Sequence, residues 1–339
     1  MDRLTYAAYN KDEYERINSS SGGMFVLMAR YILNCGGAVY GVAMTPECDA
    51  AKFIRVSDVE NLAVLMSSKY MQAKLGNTFN LVKMDLEQGF FVLFTGTGCQ
   101  INGLKSFLNK SYDKLYCVDI VCHGTPSPKL WKKYIVYIEK KYHSKVKTVN
   151  FRCKDTGWND AGLKKIPSSK NQIFIPRKID PYMRMFLTNL SLRPSCYECA
   201  AKTYRLSDMS IADFWGIETI APKLNDNKGI SMVIIRNTQG KQLFDNIKSK
   251  MIYEEVSYKD AIENNYAEYS SVYRPYNRGS FFLDLNQMQF DDLAKKYVFV
   301  SFKRKVKSYL LNSPLKFVCG GKSKVSGNDD YGIFFVLDK

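Results

Sequence analysis

The sequence predicts an α/β to α+β protein: mixed sheets with flanking helices, in two units followed by a helical C-terminal tail. Two observations carry this. Short apolar runs with the length of buried strands, Phe90–Thr95 and Leu115–Val121, alternate with stretches of helical apolar spacing, Met24–Cys35 and Cys99–Leu108. From about Thr148 the grammar changes, and the strand-like runs become short and broken by polar residues.

The elements follow in order. Leu4–Tyr9 is apolar-rich and reads as an edge strand. Ser19, Ser20, Ser21, Gly22 and Gly23 form a small-residue loop before the first helix, which Gly36-Gly37 ends. Ala38–Met44 and Lys52–Val56 read as strands, and Asp58 would cap a short helix through Met66. Gly96-Thr97-Gly98 makes a tight turn between the Phe90–Thr95 strand and the next helix. Pro126 and Pro128 open a long helix with Trp131, Ile135 and Ile138 on one stripe. Val149–Cys153, Leu163–Ile166, Gln172–Ile175, Met209–Trp215 and Met232–Arg236 read as strands, and Asp180–Thr188 and Gln239–Lys248 as helices. Ser191–Arg205 is a loop, and the chain is Tyr- and Asn-rich after Glu263. A basic helix is expected from Asp291 to about Leu311, with Lys303, Arg304, Lys305 and Lys307. The expected units are 1–84, 85–253 and 254–339.

Composition bounds the function. Of 339 residues, 46% are hydrophobic and 24% charged, which is a globular, core-forming balance and excludes disorder for most of the chain. Lys and Arg number 49 against 33 Asp and Glu, a net charge of +16 that calls for an anionic partner, substrate or cofactor. No apolar stretch approaches the roughly 18–20 residues of a membrane span, and the N-terminus MDRLTYAAYN has no leader-like apolar core. A cytoplasmic location is therefore expected, where nine cysteines are free, metal-bound or catalytic rather than paired. His123 and His143 are the sole histidines, which excludes a His-rich metal site.

Four segments can carry chemistry. Ser19–Gly23 stands at a helix start, where free N–H groups and the helix dipole suit a phosphate. An ordinary N-cap at Ser21 gives the same pattern. Cys99 starts a helix after a glycine turn, a place that favours thiolate. A small buried cysteine there is the plainer alternative. Cys122 and His123 end a second strand, and ligands of open α/β sheets gather at such ends. Cys196 and Cys199 form a C-x-x-C, a half-site for zinc, a cluster or a redox dithiol. With Cys99 and Cys122 they make four thiolates, which suit a [4Fe–4S] cluster or a Cys₄ zinc. Asp213-Phe214-Trp215-Gly216 and Ser68-Lys69-Tyr70-Met71-Gln72 can pack on a flat ring or belong to the core. Cys35, Cys48, Cys117, Cys153 and Cys319 have no such context. The basic tail reads as a solvated face that could touch a membrane surface.

Together these segments resemble one family, the beta subunit of coenzyme F420 hydrogenase/dehydrogenase. The matching stretches are Ser19–Phe25, Ser68–Lys74, Phe94–Leu104, Val118–Tyr134, Asn150–Lys154 and Arg193–Gly216, over about residues 5–240. The resemblance implies a flavin- and iron–sulfur-containing oxidoreductase with FAD and, in some members, coenzyme F420. It places Ser19, Ser20, Ser21, Gly22 and Gly23 by the FAD phosphates, and Lys69, Tyr70 and Gln72 near the flavin. It makes Cys99, Cys122, Cys196 and Cys199 cluster ligands. The ferredoxin-like C-x-x-C segments of many members are missing here. The electron partner is then expected to be a separate carrier such as a ferredoxin, or another redox subunit. Gly98 stands where members often have proline, which is expected to loosen the turn holding Cys99.

A flavin converts hydride chemistry into one-electron chemistry, which gives this cofactor pair its logic and requires no side chain as general acid or base. The competing reading is a cofactor-poor binding or assembly protein of a surface-polysaccharide pathway. A Cys₄ zinc protein on nucleic acid fits less well, since the cations are dispersed.

Overall fold

Strands form where the apolar runs lie. The computed structural model describes residues 3–159, 161–167 and 173–298. Its strands are β1 (Thr5–Asn10), β2 (Ala38–Met44), β3 (Ala51–Val56), β4 (Ala73–Lys74), β5 (Val92–Thr97) and β6 (Leu115–Ile120). They continue as β7 (Val146–Cys153), β8 (Gly162–Pro167), β9 (Ile173–Pro176), β10 (Met209–Asp213), β11 (Ser231–Ile235) and β12 (Met251–Val256). Among the described residues nine strands make one sheet in the order β12-β1-β11-β10-β6-β5-β2-β3-β4, and β7-β8-β9 make a second, antiparallel one.

The middle of the large sheet, β10-β6-β5-β2, is parallel. β2 and β5 are mostly apolar and buried on both faces, so they read as continuous runs rather than alternations, while β6 and β10 add the buried polar residues Asp119 and Ser210. The same logic corrects one expectation. β1 is not an edge strand: it pairs with both β11 and β12, and five of its six residues are buried. Its unbroken apolar run is the sign of a strand covered on both faces. The two expected boundaries, at 84/85 and 253/254, fall within the span of this one sheet. β2 pairs with β5 across the first, and β12 contains the second.

The helix Met24–Asn34 buries Leu27, Met28 and Ile32 and shares a core with the helix Thr238–Ile247 and with β1, β2 and β5. The helices Thr78–Glu87 and Gly98–Leu108 make another core against β2 and β5. A third core joins the helices Pro128–Tyr142, Pro181–Leu187, Arg278–Gln287 and Phe290–Tyr297. Pro128 opens the first of these at a position where its missing N–H costs nothing. Leu130, Trp131, Tyr134, Ile135 and Ile138 then follow on one buried stripe. Trp131 packs 4.8 Å from Phe151 and 4.9 Å from Tyr182, and its Nε1 donates to the Cys48 carbonyl at 2.8 Å.

In place of the helix expected from Asp58 to Met66, only a 3₁₀ turn forms, at Leu62–Leu65. The segment after Glu263 is less irregular than its composition suggests, since it holds Arg278–Gln287 and Phe290–Tyr297. The basic residues Lys303, Arg304, Lys305 and Lys307, and Cys319, lie outside the described residues. Among the described residues no helix is long and apolar enough to cross a membrane.

The Trp131 indole is fully buried. Trp131→Ala should lower unfolding stability by about 3–5 kcal/mol, read from the shift in a urea transition. A loss under about 1 kcal/mol would show that this aromatic core does not hold the helix in place.

Candidate functional site

The parallel strands bring distant segments to one edge. In the sheet register Thr97 of β5 stands beside Ile120 of β6, and Ile120 beside Ile211 of β10. Their carboxyl ends therefore open together; Cys99 and Cys122 follow two of them, and the stretch before β10 brings Cys196 and Cys199 to the same place. Cys99, Cys122, Cys196 and Cys199 line one small cavity of about 30 Å³, with Thr97, Gly98, His123, Thr125, Lys202 and Arg205 around them. Three separate stretches of chain thus converge.

Each thiol is held differently. Cys99 sits in the first turn of Gly98–Leu108, where Thr97 and Gln100 form a capping box; the Thr97 N–H donates to Gln100 Oε1 at 2.9 Å. Thr97 Oγ1 lies 3.2 Å from Cys99 Sγ. The expected looseness at Gly98 does not follow. A Cβ there would approach Ala201 Cβ at 3.1 Å, so glycine lets the C-x-x-C loop close onto this turn. Cys122 is half-buried, and desolvation pushes its thiol up to about 12, against the pull of the nearby Lys202 ammonium. Burial also raises Cys196, which receives the Thr125 N–H at 3.4 Å. The Cys199 N–H donates to Ser271 Oγ at 2.9 Å. Among the described residues no three or more of His, Cys, Asp and Glu are grouped to grip a single metal ion.

A buried charge network fixes this arrangement. Arg205 reaches Glu268 at 2.6 Å and Asp119 at 3.2 Å, and Arg236 reaches Glu268 at 2.6 Å. Ser207 donates to Asp119 at 2.7 Å, and Ser210 donates to the same oxygen. Both carboxylates are almost wholly buried, so the arginines must neutralise them. Lys202 donates to the Cys122 carbonyl at 2.6 Å and to the Ala267 carbonyl. The segment around Glu268 is thereby tied to the C-x-x-C loop, a link with no local signature in the residues.

Two larger cavities adjoin the thiols. One, of about 570 Å³, shares Thr97, Ile120, Cys122, His123, Gly124 and Thr125 with the thiol cavity and extends to Arg177, Lys178, Trp215 and Tyr266. The other, of about 260 Å³, shares Ser68, Lys69, Tyr70, Met71 and Asp213 with it and reaches Ser19, Ser20, Ser21 and Gly23. Six of the eight residues expected beside a flavin line this last cavity. Gly22 and Gln72 do not. Gly22 is packed so close to the Ala8 carbonyl and Ser231 that no side chain fits, and its N–H donates to Ser231 Oγ at 3.0 Å. The Gln72 N–H donates to the Pro126 carbonyl at 3.2 Å. Both residues shape the wall rather than face the space.

The serine loop is not an N-cap at Ser21. Gly23 occupies that position with φ of 84°, and no side chain caps the helix. Ser21 donates instead to the Ile230 carbonyl at 2.6 Å, and Ser20 Oγ lies 2.8 Å from Ser68 Oγ and accepts the Ser68 N–H at 2.8 Å. The loop and the Ser68–Met71 segment thus form one rim. Burial lowers the Lys69 ammonium to about 7, and it donates to the Met66 carbonyl at 2.6 Å.

His123, Asp213 and Trp215, from segments the sequence marks as candidates, line the site as well. His123 Nε2 lies 2.7 Å from Asn189 Oδ1, its Nδ1 lies 3.3 Å from Tyr266 Oη, and burial lowers its pKa. Trp215 stacks on Trp158 at 5.0 Å and 5°. Asp213, which lines both larger cavities, accepts from Trp158 Nε1 at 3.2 Å and faces Arg152 at 3.1 Å. The pairing of Arg152 with Asp213 spans two sheets and has no local pattern to reveal it.

Glu268→Ala strands Arg205 and Arg236 without their shared carboxylate. The expected cost is about 3–5 kcal/mol of stability, read by chemical denaturation, with faster proteolytic nicking in the 194–202 loop. An unchanged transition would mean that the network does not anchor the site.

The sequence over residues 91–261, just over half of the chain, matches the family described as the C terminus of the coenzyme F420 hydrogenase/dehydrogenase beta subunit. Among curated proteins no match is found. Among solved structures, a chain of the F420-reducing [NiFe] hydrogenase complex from Methanosarcina barkeri, studied under xenon derivatisation, aligns with a TM-score of 0.52 at 14% identity. The alignment covers 87% of this chain and 92% of that one. At that identity the likeness speaks for the fold, and the mixed sheet with its flanking helices is shared. The match over half the sequence settles the lineage: this chain belongs to the coenzyme F420 hydrogenase/dehydrogenase beta subunit family.

Proposed function

We propose that the chain is a flavin-dependent iron–sulfur oxidoreductase, with FAD and a [4Fe–4S] cluster as cofactors and a deazaflavin such as coenzyme F420, or a similar carrier, as hydride donor. The observation that carries this reading is continuity. The four-thiol cavity opens through Cys122 and His123 into a larger one, which merges along Ser68–Met71 with the cavity of the serine loop.

The donor set, four cysteines around one cavity, fits a [4Fe–4S] cluster. The Thr125 N–H aimed at Cys196 is the kind of bond that stabilises electron-rich cluster sulfur. Cys99, Cys122, Cys196 and Cys199 would hold the cluster. The uncapped start of Met24–Asn34, with Ser20 and Ser21, would hold the FAD phosphates, because the first N–H groups of a helix lack partners of their own. Lys69 and Tyr70 would flank the ring.

When bound, a flavin takes up a hydride and releases electrons singly, and a cluster carries single electrons. The chain's own work is placement and exclusion of water. Trp215, fixed against Trp158, gives the larger cavity a flat apolar wall. His123, held between Asn189 and Tyr266, lines both that space and the thiol cavity. The electrons leave to a separate carrier protein such as a ferredoxin.

Anaerobic purification should give a yellow-brown protein with FAD and about four irons per chain. Ser20→Asp sets a carboxylate on the phosphate rim and should strip flavin while iron is retained. A colourless, metal-free protein after anaerobic reconstitution would refute the reading and favour a scaffold that kept the fold alone.

A further inference from the structure

The segment Asn264–Arg278 runs along the C-x-x-C loop. Cys199 donates to Ser271, Lys202 to the Ala267 carbonyl, Asn189 to the Tyr273 carbonyl, and Arg278 to the Leu192 carbonyl at 2.8 Å. Its backbone is anchored, yet it displays four tyrosines, with exposure from 48% at Tyr266 to 101% at Tyr276. Tyr204, at the other end of the C-x-x-C loop, is exposed as well. Aromatic rings on a rigid loop give up little entropy when covered. Tyr and Arg are also the residues most enriched at protein interfaces.

Charge adds the partner's sign. Arg205 and Glu268 are buried and paired with each other, and Lys202 points inward at the Cys122 and Ala267 carbonyls. The exposed charges that remain in residues 189–205 and 264–278 are Arg193 and Arg274 against Glu198, with Arg278 half-buried beside them. The whole chain carries +16. The face therefore attracts an acidic surface. It lies over the thiol cavity: the Cys199 N–H is bonded to its Ser271 hydroxyl, and Tyr266 touches His123, which lines that cavity.

We propose that the tyrosine–arginine face formed by Tyr266, Tyr269, Tyr273, Arg193 and Arg274 docks an acidic one-electron carrier protein. This assignment rests on the redox reading above for the partner's chemistry, and on exposure and charge for its place. A carrier seated here brings its centre next to the four cysteines, whereas a small hydride carrier would enter through the larger cavity.

The test uses the full anaerobically purified chain and, as probe, an acidic plant-type [2Fe–2S] ferredoxin, with affinity measured by interferometry across ionic strength. Binding should weaken as salt screens it. The pair Tyr269→Ser and Tyr273→Ser, and separately Arg193→Glu and Arg274→Glu, should each weaken it by about tenfold or more at low salt. Flavin and iron contents should stay at those of the unaltered chain. Affinity unchanged by both pairs would overturn the proposal, as would equal binding of a basic cytochrome. Self-association in sedimentation that the same substitutions abolish would overturn it too, because a second copy would then be the occupant. Binding is read without electron transfer, so the two readings fail separately. A cofactor-free chain that still binds through these residues keeps the face, and a cofactor-loaded chain that does not bind loses it.

Discussion

The site depends on three strands that end together. β5, β6 and β10 are parallel neighbours, and their register puts Thr97, Ile120 and Ile211 side by side. Parallel strands cannot be joined by tight hairpins, so each must send its chain away across a face and back. The result is one edge of the sheet where β5 runs straight into the helix Gly98–Leu108 and β6 and β10 run into loops. Cys99 and Cys122 follow two of those ends directly. Cys196 and Cys199 arrive from the stretch before β10, so a ring of thiols assembles from residues about a hundred positions apart in sequence.

Such an edge is costly to keep ordered, because loops carry polar backbone into a half-buried place. The chain meets that cost with charge rather than with apolar packing. Asp119 on β6, Arg205 after the C-x-x-C, Arg236 after β11 and Glu268 beyond β12 share one buried cluster. Removing charges from water is unfavourable in itself, so a network of this kind gives specificity of arrangement more than net stability. It makes the C-terminal part of the described chain a wall of the site. The Tyr266–Tyr276 segment owes its fixed position to the same contacts.

Much of this is legible in the residues, for reasons that differ by element. β5 and β6 are visible as unbroken apolar runs, and the helices Met24–Asn34 and Pro128–Tyr142 as apolar stripes between glycine and proline signals. The convergence of Cys99 and Cys122 follows from both standing at strand ends. The place of β1 does not, since pairing order leaves no mark on a six-residue strand. Nor does the role of Glu268, a lone acid in a tyrosine-rich stretch whose partners lie 32 and 63 residues away. Gly98 shows a subtler limit. A residue that loosens a turn in isolation is what allows Ala201 to pack against it. The serine loop does mark a helix start, but the hydroxyl expected to cap the helix bonds to the Ile230 carbonyl beside β11, and glycine takes the cap.

The central claim is that four cysteines from three stretches of chain hold one cluster at the carboxyl edge of the parallel strands. Electron paramagnetic resonance of the anaerobically reduced protein tests it most directly. The account predicts the signal of a single reduced [4Fe–4S] cluster, lost alike in Cys99→Ser, Cys122→Ser and Cys196→Ser. A signal that survives all three substitutions, or an iron-free protein that carries one zinc per chain, would contradict it.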